Sequence, residues 1–212
     1  MLDSKIFSKN FIFSPFQENT YVLYDSSGKA VIIDPGMQNS REEEELSRFI
    51  DEKKLKVTRI LLTHAHIDHI FGLNYSVSKY NVPVGMHKDS IEVLKQAPNH
   101  AKLYGIDFEL GDFTIETINE NDIIEFGMKV LFVPGHVPGH LVFYKEEQAE
   151  MWVGDVLFYG SIGRTDLPGG DHNLLISGIK TKLLTLDDDI LVHSGHGEDT
   201  HIGFERENNP FL

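Results

Sequence analysis

The sequence predicts an α/β fold with layered sheets, and three observations support that class. Short runs of β-branched and aromatic residues recur between turn residues. Segments with helical hydrophobic periodicity lie between them, and no low-complexity linker or repeat divides the sequence. With 212 residues, 41% of them apolar, the chain can enclose one sizeable core, so residues 1–212 are expected to form a single domain.

The first half of the chain alternates strands with helices. Runs at 19–24 and 30–34 flank a Ser-Ser-Gly turn, which predicts a hairpin. Ser40 with Glu43 three residues later forms a capping box, which predicts a helix ending near Lys53. A strand at 57–62, a helix at 69–80, a strand at 83–86 and helical structure at 90–104 are expected to follow.

The second half is predicted to be richer in strands. Residues 113–153 carry mostly strand patterns, and Asp171 is expected to cap a helix whose apolar stripe is Leu175, Ile179 and Leu183. Residues 190–192 are predicted to form the last strand. Strands and helices interleaved by mixed connections indicate an α/β class with layered sheets.

Composition excludes several kinds of function. The chain has no cysteine, which excludes disulfides, thiolate zinc sites and cysteine nucleophiles. The formal charge is 19 − 33 = −14 and no basic cluster is present, so a nucleic-acid partner is not expected. Residues 1–20 lack the apolar core of a signal peptide, and no apolar stretch reaches the roughly 18 residues of a membrane span. A cytoplasmic protein without a membrane partner is therefore expected.

Seven polar side chains occupy equivalent places in the predicted fold, because each follows the end of a predicted apolar strand. They are His64, His66, Asp68 and His69 after the strand at 57–62, His136 after 129–133, Asp155 after 151–153 and His196 after 190–192. A small residue or a glycine turns the chain in each case. Strands of one core commonly end along one edge, so these side chains are expected to converge in loops held by the scaffold.

These residue types favour metal binding. Neutral imidazole and carboxylate are good ligands for zinc, iron and manganese. Five histidines and two aspartates suffice for two ions that share one bridging carboxylate. A lone His196 or Asp155 would more often be an ordinary turn residue, but four ionisable groups within residues 64–69 would be costly to bury without a metal or partners. His140 is expected to hydrogen-bond to a ligand rather than to bind metal itself.

The motif His64-x-His66-x-Asp68-His69, with the later Pro-Gly-His136, Gly-Asp155 and Gly-His196, resembles the metallo-β-lactamase superfamily. Within it, the chain is most similar to small glyoxalase II-like hydrolases, the hydroxyacylglutathione hydrolase group, and residues 160–171 and 202–211 are typical of the short bacterial members. The resemblance implies an αββα sandwich with the metals at one edge. Full-length glyoxalase II enzymes carry an extra C-terminal helical domain, which this chain is expected to lack because it ends about sixteen residues after His196.

The resemblance also assigns residues. It implies that His64, His66 and His136 hold a first metal, that Asp68, His69 and His196 hold a second, and that Asp155 bridges them. Zinc is the metal it favours, with iron and manganese as alternatives. Arg164 lies where glyoxalase II enzymes have a substrate-binding lysine, so it is expected to pair with a substrate carboxylate.

The function implied is hydrolysis of a small-molecule thioester such as S-D-lactoylglutathione by a hydroxide that bridges the metals, with Asp68 orienting the nucleophile. The alternative is a persulfide dioxygenase-like oxidoreductase, which resembles the chain over the same motifs and would use one non-haem iron held by His64, His136 and Asp155. A non-catalytic module is disfavoured because the full set of ligands is retained. A nuclease is disfavoured by the acidic charge.

Overall fold

The protein is described from a computed structural model that covers residues 5–212. The described residues form two compact units, each with its own main sheet. The first unit comprises the described chain up to Met86 together with Ile91–Thr117, and the second comprises His87–Ser90 and Ile118–Leu212. The first four residues, which belong to the predicted domain and to the segment compared with a signal peptide, lie outside the described part.

The first unit contains a six-stranded mixed sheet whose strands lie in sequence order. Strands β1 to β3 are antiparallel neighbours, whereas β3 to β6 are parallel. The predicted hairpin at 19–24 and 30–34 is confirmed as β2 and β3. The strands are β1 (Ile6–Phe13), β2 (Glu18–Asp25), β3 (Lys29–Ile33), β4 (Lys56–Leu61), β5 (Val84–Met86) and β6 (Ile115–Thr117).

Helices lie between the parallel strands, as crossover connections require. They are α1 (Ser40–Glu52), α2 (Leu73–Tyr80) and α3 (Ser90–Leu103). The prediction that Ser40 caps α1 is wrong by one residue, because the Asn39 side chain accepts hydrogen bonds from the amides of Arg41 and Glu42, at 3.1 and 3.2 Å. The helix predicted from His69 begins later, at Leu73, after a short 3₁₀ turn at Ile67–His69.

The second unit contains a five-stranded sheet in the order β13-β12-β9-β8-β7, in which β9 and β12 are parallel neighbours. Residues 190–192 are not the last strand, because β12 returns through a loop to pair with a short β13. The strands are β7 (Lys129–Phe132), β8 (Leu141–Lys145), β9 (Glu150–Gly154), β12 (Leu191–Ser194) and β13 (Thr200–His201), with a separate hairpin of β10 (Leu157–Phe158) and β11 (Ser161–Ile162).

The helical stripe predicted after Asp171 is confirmed. The Asp171 side chain accepts a hydrogen bond from the amide of Leu174 and caps α4 (His172–Gly178), which continues into a π-helical turn at Ile179–Leu183. Leu175, Ile179 and Leu183 are all fully buried in the core of the second unit. The chain ends with α5 (Ile202–Asn208). Within residues 5–212, every helix is too short or too polar to cross a bilayer.

Candidate metal centre

In the first unit, candidate ligands follow two neighbouring parallel strands. Asp34 comes directly after β3, and residues 63–69 come after β4, so both segments leave the sheet at the same edge. A hydrogen bond from the amide of Asp34 to the carbonyl of Leu61 joins the two strand ends at 3.0 Å. The carboxyl edge of parallel strands is where α/β sheets commonly place ligands.

A single buried carboxylate orients two of the predicted histidine ligands. The Asp34 carboxylate accepts hydrogen bonds from the Thr63 amide at 2.7 Å, from the Thr63 hydroxyl at 2.5 Å and from Nδ1 of His69 at 3.0 Å. The Thr63 hydroxyl lies 3.0 Å from Nδ1 of His64. Because this hydroxyl gives its proton to Asp34, its oxygen accepts the proton of His64 Nδ1.

The network therefore selects one tautomer for both rings. With Nδ1 protonated in His64 and His69, each ring presents the lone pair of Nε2, which is the atom a metal would bind. Both rings are completely buried. Ligand atoms of Asp34, His64 and His69 lie within 4.8 Å of one another, but Asp34 already accepts three hydrogen bonds, so we interpret it as the residue that orients the ligands.

His66 and Asp68 complete the group predicted in this unit. The ring of His64 lies 4.8 Å from that of His66 and 4.1 Å from that of His69, centroid to centroid. Oδ2 of Asp68 lies 3.9 Å from Nε2 of His69, and the Asp68 side chain keeps 14% of its exposure. The four residues are thus brought together, with Asp68 the carboxylate that solvent reaches.

A second buried carboxylate, Glu18, supports the same loop and was not assigned a role from the sequence. The Thr20 hydroxyl lies 2.8 Å from both Oε2 of Glu18 and the carbonyl of Asp34, and it accepts a hydrogen bond from the Gly36 amide. A methyl group on Gly36 would overlap both the Glu18 carboxyl and the carbonyl of Asp68. Complete burial raises the pKa of Glu18 well above its usual value, although nearby His69 acts in the opposite direction. The signal in the sequence was an acidic residue inside an otherwise buried strand.

In the second unit, three candidate ligands again follow strand ends. His136 follows β7, Asp155 follows β9 and His196 follows β12. The predicted glycine turns are present: Gly135 and Gly154 have φ of 130° and 51°, a region that side chains larger than hydrogen disfavour. The chain can therefore turn sharply out of the strand and present the next side chain.

The position of Asp155 is the most informative geometry of this unit. Its Oδ2 atom lies 3.6 Å from Nε2 of His136 and 3.7 Å from Nε2 of His196. Two ligands bound to the same tetrahedral ion at about 2.1 Å would lie about 3.4 Å apart. Both distances are close to that spacing, and imidazole and carboxylate match what zinc, iron or manganese require.

His136 and His140, whose rings lie near Asp155, each have a defined tautomer. Nδ1 of His136 donates to the carbonyl of Arg164 at 2.7 Å, which leaves the lone pair on Nε2. His140 is completely buried, its Nδ1 faces the carbonyl of Leu141 at 3.1 Å, and its Nε2 accepts the amide proton of Asp155 at 3.1 Å. The expected hydrogen bond between His140 and a candidate ligand is therefore present, at the backbone amide of Asp155.

The β10–β11 hairpin borders His196 and is held by the C-terminal segment. The ring of Phe158 lies 6.2 Å from that of His196, edge to face. The fully buried Glu205 accepts hydrogen bonds from the amide of Gly160, the Thr200 hydroxyl and the Asn209 side chain. Residues 202–211, which resemble the short bacterial members, thus hold the β10–β11 hairpin in place beside a candidate ligand. The sequence pattern did not indicate this role.

Arg164 lies at the surface of this unit. Its guanidinium donates to both carboxylate oxygens of Asp166, at 2.7 and 2.8 Å, and its side chain is 56% exposed. Hydrogen bonds from Arg164 lower the pKa of Asp166 to about 2. A substrate carboxylate would compete with Asp166 for the guanidinium, while the Arg164 carbonyl continues to orient His136.

Comparison with known proteins identifies the family. The family model described as the metallo-beta-lactamase superfamily matches residues 13–196. The chain belongs to this superfamily. It is 40% identical over 204 residues to a protein named hydroxyacylglutathione hydrolase GloC from Haemophilus influenzae, covering 93% of both chains. It is 41% identical over 202 residues to the probable metallo-hydrolase YqgX of Bacillus subtilis, again covering 93% of both.

Solved structures confirm the predicted fold class. The protein TTHA1623, in a di-iron-bound form, is 37% identical, with a TM-score of 0.87 and coverage of 97% of this chain and 100% of that one. BLEG-1, described as a B3 metallo-beta-lactamase, is 36% identical, with a TM-score of 0.84 and coverage of 97% and 99%. ETHE1 from Myxococcus xanthus, at 23% identity and a TM-score of 0.77, shows a shared fold only. This chain is therefore a metallo-β-lactamase superfamily hydrolase with metal-binding groups of histidine and aspartate.

Proposed function

We propose that this superfamily member cleaves small-molecule thioesters, such as S-D-lactoylglutathione, with two divalent metal ions. The observation that carries the proposal is the position of Asp155, whose Oδ2 atom lies almost equally far from Nε2 of His136 and of His196. A carboxylate between two imidazoles is the arrangement expected for a bridging ligand of a two-metal site. The relative named hydroxyacylglutathione hydrolase supports the thioester as substrate.

In this proposal every predicted ligand binds at least one of the two ions. The two ions, zinc being the first candidate, would polarise the acyl carbonyl and lower the pKa of water to near 7. The proposed ligands are His64, His66 and His136 for one ion, Asp68, His69 and His196 for the other, and Asp155 for both.

The chain's own residues would contribute orientation. The Asp34–Thr63 network holds His64 and His69 with the lone pair of Nε2 available for a metal ion. Little reorganisation of these side chains would therefore be needed when the metal binds. Asp68 is the partly exposed carboxylate of the group, which suits it to accept a hydrogen bond from the attacking water. Proposed as a ligand and as the residue that orients the nucleophile, it is the candidate catalytic residue.

The alternative with one iron gives fewer residues a role. A mononuclear site of His64, His136 and Asp155 would leave His196 without a function, although Asp155 lies as close to His196 as to His136. The relative solved in a di-iron-bound form favours two metal positions even when the metal is iron. Hydrolysis of thioesters without oxygen uptake is therefore expected; oxygen uptake with glutathione persulfide would instead support the dioxygenase.

Arg164 is proposed to bind the carboxylates of the glutathione part of the substrate. Replacing it with Gln is expected to raise KM for S-D-lactoylglutathione about tenfold with kcat nearly unchanged, because an ion pair used equally in ground and transition states affects KM. The matched variant Asp166→Asn removes the competing carboxylate and is expected to lower KM.

Steady-state kinetics on both variants, with a thioester that lacks carboxylates as control substrate, measures this effect. An unchanged KM in Arg164→Gln would contradict the role of Arg164. No hydrolysis of any thioester by the wild-type, metal-loaded protein would contradict the proposed function itself.

A further inference from the structure

His193 is a buried histidine that the proposed metal centre does not use. It lies on β12, three residues before His196, and its side chain is only 8% exposed. Its ring stacks on Trp152 of the neighbouring strand β9, with centroids 5.0 Å apart and an interplanar angle of 18°. A buried polar ring at this position requires polar partners.

Two carboxylates face this ring from different elements. Oδ2 of Asp199 lies 3.0 Å from Nδ1, and Oε2 of Glu150 lies 3.3 Å from Nε2. Glu150 comes from β9, and Asp199 comes from the loop between β12 and β13. A carboxylate only accepts hydrogen bonds, so both ring nitrogens must donate for both contacts to be hydrogen bonds, and only the imidazolium form has two donors.

The same two contacts close the base of the loop that carries His196. This loop runs from Gly195 to Asp199, between β12 and β13. Its start is fixed by hydrogen bonds from the hydroxyl of Ser194, the last residue of β12, to the Leu157 carbonyl and from the Gly195 amide to the Gly154 carbonyl, both at 2.8 Å. Its last residue, Asp199, is fixed by His193.

We propose that His193 is a positioning residue, an imidazolium that clasps Asp199 to Glu150 and thereby fixes the loop that presents His196 to the second metal. The metal part of this inference rests on the proposed function, whereas the clasp itself does not. His193 contributes no metal ligand, because both of its nitrogens are directed at carboxylates. Its effect on metal binding passes through the conformational freedom of His196, which is 26% exposed.

Electrostatics agrees with the geometry. Burial alone lowers the pKa of His193, but the hydrogen bonds and negative charges of Asp199 and Glu150 outweigh burial, so the pKa is raised above its usual 6.5. A raised pKa in the folded state means that the clasp contributes its full stabilisation below about pH 6.5 and loses it as the pH rises through the raised pKa.

Tryptophan fluorescence can test the clasp without metal or substrate. Trp152 is the one tryptophan in the sequence, and a stacked imidazolium quenches indole emission more strongly than neutral imidazole does. In the metal-free protein we expect emission to rise through a transition above pH 6.5. His193→Gln should lack this transition. His201→Gln, which changes an exposed histidine on the next strand, should retain it. A wild-type protein without the transition would overturn the proposal.

Metal affinity tests the positioning role. Chelator competition on His193→Gln should show one of the two metals losing about 10- to 100-fold in affinity, as for other residues that orient ligands, with the affinity of the other metal unchanged. Asp199→Asn, at a side chain 42% exposed, should reproduce the loss and provides a second test if His193→Gln does not fold. Wild-type affinities for both metals in Asp199→Asn would refute the positioning role.

The two proposals can fail separately. A protein whose second metal depends on His193 but which cleaves no thioester would contradict the function and leave the clasp intact. A protein that cleaves thioesters with two metals, but whose metal affinities are unaffected by His193→Gln and Asp199→Asn, would contradict the positioning role of His193 and leave the function intact.

Discussion

Replacing Asp155 with Ala is expected to lower kcat/KM for thioester hydrolysis by more than about 1000-fold. The substitution removes the proposed bridging oxygen between His136 and His196, and a metal centre supplies several kcal/mol of transition-state stabilisation, at 1.36 kcal/mol per tenfold. Metal content should fall with activity. Because the Asp155 side chain is only 12% exposed, circular dichroism is needed to show that the variant folds.

The matched control is Asp189→Ala, which removes an exposed aspartate of the same unit just before β12. It should keep both the metal content and the activity of the wild-type protein. If Asp155→Ala instead retains two metals and near-wild-type turnover, Asp155 is not the bridging ligand.

Replacing Asp34 with Asn is expected to weaken metal binding about 10- to 100-fold. The amide accepts hydrogen bonds through one atom only, so it cannot serve the Thr63 amide, the Thr63 hydroxyl and His69 together. The orientation of both His64 and His69 should suffer. Asn tolerates the left-handed backbone at this position, where φ is 49°, so backbone strain is not the cause of the expected effect.

Stability should fall as well, by about 1–3 kcal/mol, because a buried donor loses its acceptor. The control is Asp25→Asn, since Asp25 also accepts three hydrogen bonds, from the Ser27 amide, the Ser27 hydroxyl and the Lys29 amide, but in the exposed turn of a hairpin. Chelator competition and thermal unfolding on the two variants make the comparison. Equal metal affinities in Asp34→Asn and Asp25→Asn would show that Asp34 does not orient the ligands.

The candidate ligands could be predicted from the sequence because the apolar pattern of a strand is local and shows where the strand ends. The apolar runs before His64, Asp155 and His196 mark where strands end, and neighbouring parallel strands end at one edge. That is why residues from distant segments of each unit could be expected to meet. The family motif added which residues share a metal, an assignment that periodicity alone could not make and that stays a prediction.

The residues that support the ligands could not be found in this way. Asp34 accepts hydrogen bonds from residues 29 and 35 positions away, Glu205 accepts one from Gly160, 45 positions away, and His193 pairs with Glu150, 43 positions away on the neighbouring parallel strand. Hydrogen-bond partners at such separations depend on tertiary packing, so no spacing rule indicates them. The prediction of the α1 cap failed for a different, local reason: the side chain of Asn39, rather than that of Ser40, reaches the first free amides of the helix.

The most direct test is thioester turnover by chelator-treated wild-type protein as metal is added back in known equivalents. We expect no turnover without metal and a rise that reaches its plateau at two equivalents per chain. Turnover that survives complete metal removal, or a plateau at one equivalent, would contradict a two-metal centre bridged by Asp155.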